Sequence, residues 1–156
     1  MRNPEWIKKL GGHAGELYVA AELSKRGILN SLLPENFSDD DILIGKKDGD
    51  LLGYIQVKSY HPDRGASFRL SADHEKWIDA DDNKFVVLVC LGSSERNEPP
   101  KYWIATKKQV GEACQNHPAK TRNRERRFYQ GDLDPRWENN WNIFDKYKSN
   151  AGISAK

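Results

Sequence analysis

An α/β domain built on a mixed β-sheet follows from three features of the sequence. Phe85–Leu91 (FVVLVCL) is a continuous β-branched run, the pattern of a strand covered on both faces. Residues 39–60 read as two strands joined by a tight turn at Asp48-Gly49, a dipeptide that tolerates the positive φ of a hairpin. Helical patterns at 13–26 and 107–116 stand before and after these strands. Strands alternating with helices in this way fold into layers, with helices on a central sheet.

Taken in order, Asn3-Pro4-Glu5 has the form of a helix start: a capping Asn, Pro at the first helical position and an acid in the first turn. Gly11-Gly12 is expected to interrupt this short helix before a longer one over His13–Arg26, closed by Gly27 as a left-handed cap. On the longer helix Glu16, Val19, Ala20 and Leu23 share one stripe, with Tyr18, Glu22 and Lys25 opposite. Glu16 therefore lies within the apolar stripe. An unpaired carboxylate is costly there, so it either bonds free backbone N–H groups at the helix start or faces a polar site. Ile28–Leu33 is a short strand ended by Pro34.

Ile42-Leu43-Ile44 is the first strand of the hairpin and Leu52–Tyr60 the second. Strand side chains alternate, so Tyr54, Gln56, Lys58 and Tyr60 share one face while Ile55, Val57 and Ser59 share the other. Residues 61–65 are loop, 67–71 a short strand, and Ala72–Ala80 a helix carrying Trp77 and Ile78. Tyr102–Ala105 is a further strand, Lys107–Asn116 a helix, and Phe128-Tyr129 an edge strand. Trp137, Trp141 and Phe144 recur at helical spacing and are expected to be the packing face of a final helix. The whole reads as a single domain over residues 1–148, with a core at about 11–105 and an extension over 106–148; residues 149–156 are expected to fray.

Composition narrows the class. The chain has 156 residues, 37% apolar and 31% charged, enough for one real core in an ordinary polar domain. No run approaches the roughly 18 apolar residues of a membrane span, so no membrane association is expected. The first ten residues carry no apolar signal segment, which makes the cytoplasm the expected compartment. Cys90 and Cys114 belong to no C-x-x-C, so they are expected to be reduced structural thiols. The net charge of +2 is small, but Lys120, Arg122, Arg124, Arg126 and Arg127 crowd around a single Glu125. Such a cluster attracts phosphates or forms a solvated loop.

Gln56 and Lys58 are polar residues on an otherwise apolar strand, and a hairpin brings Asp41 beside them. An acid, an amide oxygen and a lysine converging on one point suit a hydrated divalent cation and an activated water. Glu16 on the first helix, Asp41 at a strand start and Gln56-x-Lys58 on the next strand together resemble the PD-(D/E)XK nuclease superfamily, which includes restriction enzymes and Holliday-junction resolvases. Gly12-x-x-Gly15-Glu16 leading into an Ala-rich helix is similar to the resolvase-type members. Asp40 stands where that pattern has proline, and Gln56 where it usually has an acid.

The resemblance implies a restriction-endonuclease-like αβββαβ core and a metal-dependent endonuclease acting on DNA, with RNA left open as a substrate. By position it assigns Asp41, Gln56, the Val57 carbonyl and Glu16 to Mg²⁺ (or Mn²⁺), and Lys58 to the attacking water, so that Glu16, Asp41, Gln56 and Lys58 are the catalytic set. His61, Arg64, Arg69, Arg122, Arg124, Arg126 and Arg127 are the expected phosphate contacts. Members of the superfamily often act as homodimers. The alternative is a weak or silent module of the same fold that binds nucleic acid or a protein partner.

Overall fold

The computed structural model describes residues 4–35, 38–70, 72–117 and 125–148, with residues 72–75 described in backbone only. Helix α1 (Glu5–Lys25) is one uninterrupted element. It begins at Pro4, whose carbonyl accepts from the Ile7 and Lys8 N–H groups at 3.1 and 3.3 Å. The expected break at Gly11-Gly12 does not occur. Gly15, Val19 and Leu23 form a buried stripe that docks the helix on the sheet, and this packing outweighs the helix cost of two glycines. Gly27 ends the element with φ +79°, as expected of a left-handed cap. Asn3, the expected cap, lies outside the described residues.

The strands are β1 (Leu29–Leu32), β2 (Ile42–Gly45), β3 (Leu52–Tyr60), β4 (Phe68–Leu70), β5 (Lys84–Cys90), β6 (Lys101–Thr106) and β7 (Arg126–Phe128). Five of them make one mixed sheet in the order β1-β2-β3-β5-β6, parallel at β3–β5 and antiparallel elsewhere. β4 and β7 form a separate antiparallel ribbon, so the short strand expected near Phe128 pairs outside the main sheet. The hairpin turn places Gly49 at φ +78°, and its N–H donates to the Lys46 carbonyl at 2.8 Å. Helix α2 (Lys107–Asn116) opens with a reciprocal cap, the Gln109 N–H to Thr106 Oγ1 and the Thr106 N–H to Gln109 Oε1, at 3.1 and 3.0 Å.

Two expected α-helices are 3-10 elements. Ala72–Asp79 is one, and the chain end folds as Gln130–Asp132, Pro135–Trp137 and Trp141–Tyr147. Pro135 and the positive φ of Asn139 (51°) break the last stretch into separate turns. The aromatic trio is therefore not one stripe. Trp141 and Phe144 enter the core on the α1 face of the sheet, and Trp137 enters the core on the α2 face.

Those two cores enclose the central strands. Ile55, Phe85, Val87 and Ile104 face α1, while Val86, Leu88, Trp103 and Ala105 face α2 and the β4–β7 ribbon. Each fully buried side chain of this size is worth about 1.5–3 kcal/mol of transfer free energy. Cys90 and Cys114 are buried inside the α2-face core. Among the described residues, no helix is long and apolar enough to cross a membrane.

Gly15 sets how closely α1 approaches β3. A Cβ built there meets Ser59 Cβ at 2.9 Å and Ser59 Oγ at 3.0 Å, whereas one built on Gly12 meets nothing within 4 Å. The same substitution should thus have opposite signs one turn apart. Gly12→Ala should raise stability by about 0.5–1 kcal/mol through helix propensity alone. Gly15→Ala should lower it by roughly 1–3 kcal/mol through overpacking. Thermal and urea denaturation of the two variants checks both signs.

Candidate functional site

The register of β2 and β3 creates the site. The two strands pair from Gly45↔Leu52 to Ile42↔Ile55 and then part. The Asp41 N–H makes the last main-chain bond, to the Ile55 carbonyl at 2.9 Å. Beyond it a side chain takes over, and Asp41 Oδ2 accepts the Val57 N–H at 2.7 Å. That bond fixes the carboxylate at the mouth of the opening between the strands. Gln56 follows Ile55, the last paired residue of β3, and among the described residues its amide oxygen is buried without a hydrogen-bond partner. Lys58 follows two residues on, half-buried. Val57 and Ser59 point the other way, Val57 packing against the α1-face core and Ser59 donating to the Gly11 carbonyl at 3.3 Å.

Charge is strained at this point. Burial pushes the Asp41 carboxyl above its ordinary range, against the Val57 N–H and the Lys58 cation, which favour the ionised form. Burial likewise lowers the Lys58 ammonium, against the pull of Asp41 and Asp39. Glu16, half-buried on α1, is raised by burial and then by the Asp41 charge. Asp41 and Glu16 are in electrostatic contact and each resists ionisation, and the amide oxygen of Gln56, two residues before Lys58, is buried without a hydrogen-bond partner among the described residues. Hard oxygen donors of this type are those a partly hydrated divalent ion takes. Among the described residues, no group of three or more His, Cys, Asp or Glu side chains is arranged to hold a metal.

Asp40 is only 6% exposed. Its Oδ1 accepts from Lys107 Nζ at 2.8 Å and its Oδ2 from Lys84 Nζ at 3.0 Å. Burial alone would raise this carboxyl, but the two lysines outweigh it and hold it below its ordinary range. Lys84 starts β5 and also lies over the Tyr54 ring at 4.0 Å, while Lys107 starts α2. One side chain therefore ties three elements together directly behind Asp41. Sequence reasoning missed this clamp. Its signal is Lys107 in the first turn of a helix, where the backbone dipole disfavours a cation and only a partner acid explains one.

The expected phosphate contacts separate. Lys58, Arg64 and Arg69 line a groove of about 330 Å³ together with Lys8. His61 borders the same groove but is tied into its loop. Its Nδ1 accepts the Asp63 N–H at 3.2 Å, so the ring hydrogen is on Nε2, which bonds Ser94 Oγ at 3.1 Å. Asp63 in turn accepts from Ser93 Oγ and the Ser94 N–H at 2.7 and 3.0 Å. The Ser94–His61–Asp63 array looks like a nucleophile triad, but that tautomer leaves no base for the serine. Arg126 is buried and its Nε donates to the His117 carbonyl at 3.1 Å, so it is spent inside the protein. Arg127 is half-buried on β7, paired across the ribbon with Arg69. Arg122 and Arg124 lie outside the described residues. Glu16 and Asp41 open instead on a second groove, of about 740 Å³, and Gly12 lines both.

No protein-family model matches the sequence, and none of the curated proteins matches it. Among solved structures, the chain is similar to the bacterial homing endonuclease I-Ssp6803I. The likeness has a TM-score of 0.53 and covers 95% of this chain and 97% of that one, at 14% sequence identity. Identity this low makes it a likeness of fold alone, that of a mixed sheet flanked by helices.

Two stability measurements probe the geometry. Asp40→Asn leaves two lysines without a counter-charge and should cost about 3–5 kcal/mol near neutral pH. Because the folded Asp40 carboxyl lies below its unfolded value of about 4, its contribution is complete above that pH and is lost as pH falls through the folded value. The gap between wild type and variant should therefore close on acidification below about pH 4, as read by urea denaturation at several pH values. Gln56→Met removes the orphan amide oxygen and should stabilise the metal-free protein by about 1 kcal/mol.

Proposed function

We propose that the chain is a metal-dependent endonuclease that hydrolyses DNA phosphodiester bonds at a PD-(D/E)XK-type site made by Asp41, Gln56 and Lys58 of the hairpin with Glu16 of α1. The observation that carries this reading is the Asp41 carboxylate held by the Val57 N–H, on the stretch of β3 that also carries the buried Gln56 amide oxygen and the half-buried Lys58, whose cation Asp41 attracts. The fold likeness to a homing endonuclease supports it.

Each residue has a distinct task. Asp41, Gln56, the Val57 carbonyl and Glu16 would hold a divalent cation, Mg²⁺ or Mn²⁺, which when bound supplies Lewis acidity to the scissile phosphate and the attacking water. The Val57 N–H keeps the Asp41 carboxylate from rotating into the strand opening. Lys58 donates hydrogen bonds to the incoming water and offsets charge that builds on the phosphate during attack. Its lowered affinity for protons helps it exchange one with that water. Lys8, Arg64 and Arg69 hold the phosphates on either side, giving affinity without sequence choice. Asp40 with its two lysines keeps the segment before β2 in place, so the acid is presented from a fixed backbone.

One observation favours a second reading, a nucleic-acid-binding module without turnover. An amide takes the place of one acid, which removes a negative charge from the cation site and weakens it.

The two readings part in a cleavage assay on supercoiled plasmid and on branched and single-stranded oligonucleotides with Mg²⁺ or Mn²⁺. Cleavage by wild type that is lost in chelator and falls at least a hundredfold in both Asp41→Ala and Lys58→Ala is the expected result, a single well-placed charged donor being worth about 10²–10³ in rate. DNA binding with no cleavage of any substrate would select the silent module. Equal cleavage by wild type and both variants would reject the site.

A further inference from the structure

The two grooves that meet at Gly12 differ in chemistry. The groove holding Lys58 is cationic, rimmed by Lys8, Arg64 and Arg69, and suits phosphates. The groove holding Asp41 and Glu16 has apolar walls, Trp6 and Leu10 from α1 and Leu32 and Pro34 from the end of β1. Its polar lining carries Glu16, Glu35, Asp41 and the lysine-paired Asp40 alongside Lys9, His13 and Ser38. Carboxylates repel a phosphate chain. They accept hydrogen bonds from ring and amino N–H groups, and an indole wall stacks on a flat ring.

Trp6 is 63% exposed and Leu10 58%, one helical turn apart, with His13 continuing the stripe into the groove. Among the described residues, Trp6 at the rim of this apolar groove has no ring or hydrogen-bond partner. The volume of about 740 Å³ is far more than a hydrated cation fills. A strand can pass from one groove to the other, because nothing lies within 4 Å of a Cβ built on Gly12 at the seam.

We infer that the groove between α1 and the end of β1 receives one unpaired nucleobase of the bound strand, stacked against Trp6, so that the preferred substrate carries an unstacked nucleotide beside the phosphate at Asp41. The inference rests on the proposed nuclease reading for where that phosphate lies. The cationic groove holds the backbone and the apolar, acidic groove holds the base. Selectivity then comes from the lower cost of extruding a base that is already unpaired.

The test is binding by the full chain in chelator, which separates this inference from turnover. Fluorescence anisotropy compares a fully paired duplex, the same duplex with a one-nucleotide bulge, and the bulge made abasic. A 2-aminopurine in the bulge reports stacking directly. Wild type should prefer the bulged over the paired duplex by about tenfold and should quench the 2-aminopurine, base-on-aromatic stacking being of that order. The abasic bulge should lose the preference. Trp6→Ala, which removes an exposed side chain, should bring the ratio towards one, and so should Gly12→Phe, which blocks the seam without removing a buried group. The preference is a ratio within each variant, so a general loss of affinity does not imitate it.

An absent preference, or one unchanged in both variants, overturns the inference. An unchanged preference with Trp6→Ala shifting the sedimentation mass would also overturn it and make the groove a contact between copies of the chain. A Trp6-dependent preference in a protein that cleaves nothing would support the base groove while ending the nuclease reading. Cleavage without preference would do the reverse.

Discussion

The structure turns on one buried carboxylate. Asp40 sits between Lys84 and Lys107 with almost no access to water, and the three residues belong to the approach to β2, the start of β5 and the start of α2. A buried ion pair contributes little net stability against a well-packed apolar substitute, because desolvation consumes most of the attraction. What it supplies is position, since a charge with two fixed partners has one low-energy place and an apolar side chain has several. The neighbouring residue is Asp41. Fixing Asp40 therefore fixes the backbone that presents Asp41 at the opening that β2 and β3 leave between them.

Around that opening the protein keeps polar groups in states that a stable core would avoid. Asp41 and Glu16 are raised, Lys58 is lowered, and the Gln56 oxygen is buried without a partner. Each departure is destabilising in the isolated chain, and they come from one turn of α1, the residue before β2 and a three-residue stretch of β3. The two cores above and below the sheet are by contrast apolar and densely aromatic, with Phe85 and Phe144 edge to face at 5.0 Å. Strain of this kind collects at functional sites, where the surrounding scaffold can bear it.

Much of the scaffold was legible because its signals are local. The hairpin was visible in Asp48-Gly49 and in alternation along Leu52–Tyr60, and α2 in its Thr106–Gln109 cap. The hairpin register also brings Asp41 next to the part of β3 that carries Gln56 and Lys58, with the Val57 N–H on its carboxylate. The rest depends on distant packing. Gly11 and Gly12 read as a break, but the docked stripe through Leu23 carries the helix across them. Trp137, Trp141 and Phe144 keep helical spacing in sequence, yet Asn139 sends them to opposite faces of the sheet. Arg126 looked like one more surface cation in a basic run and is an inward donor instead. No periodicity distinguishes Asp40 from its two neighbours, because its partners lie 44 and 67 residues ahead.

That last separation orders events in time as well as in space. The hairpin carrying Asp41, Gln56 and Lys58 is contiguous by Tyr60 and can close early, since its contacts are short in sequence. Its parallel neighbour β5 arrives only at Lys84, and the second lysine of the clamp only at Lys107. A chain growing from its N-terminus thus carries Asp41, Gln56 and Lys58 long before it can lock their backbone. The candidate site matures last, when the sheet is nearly complete.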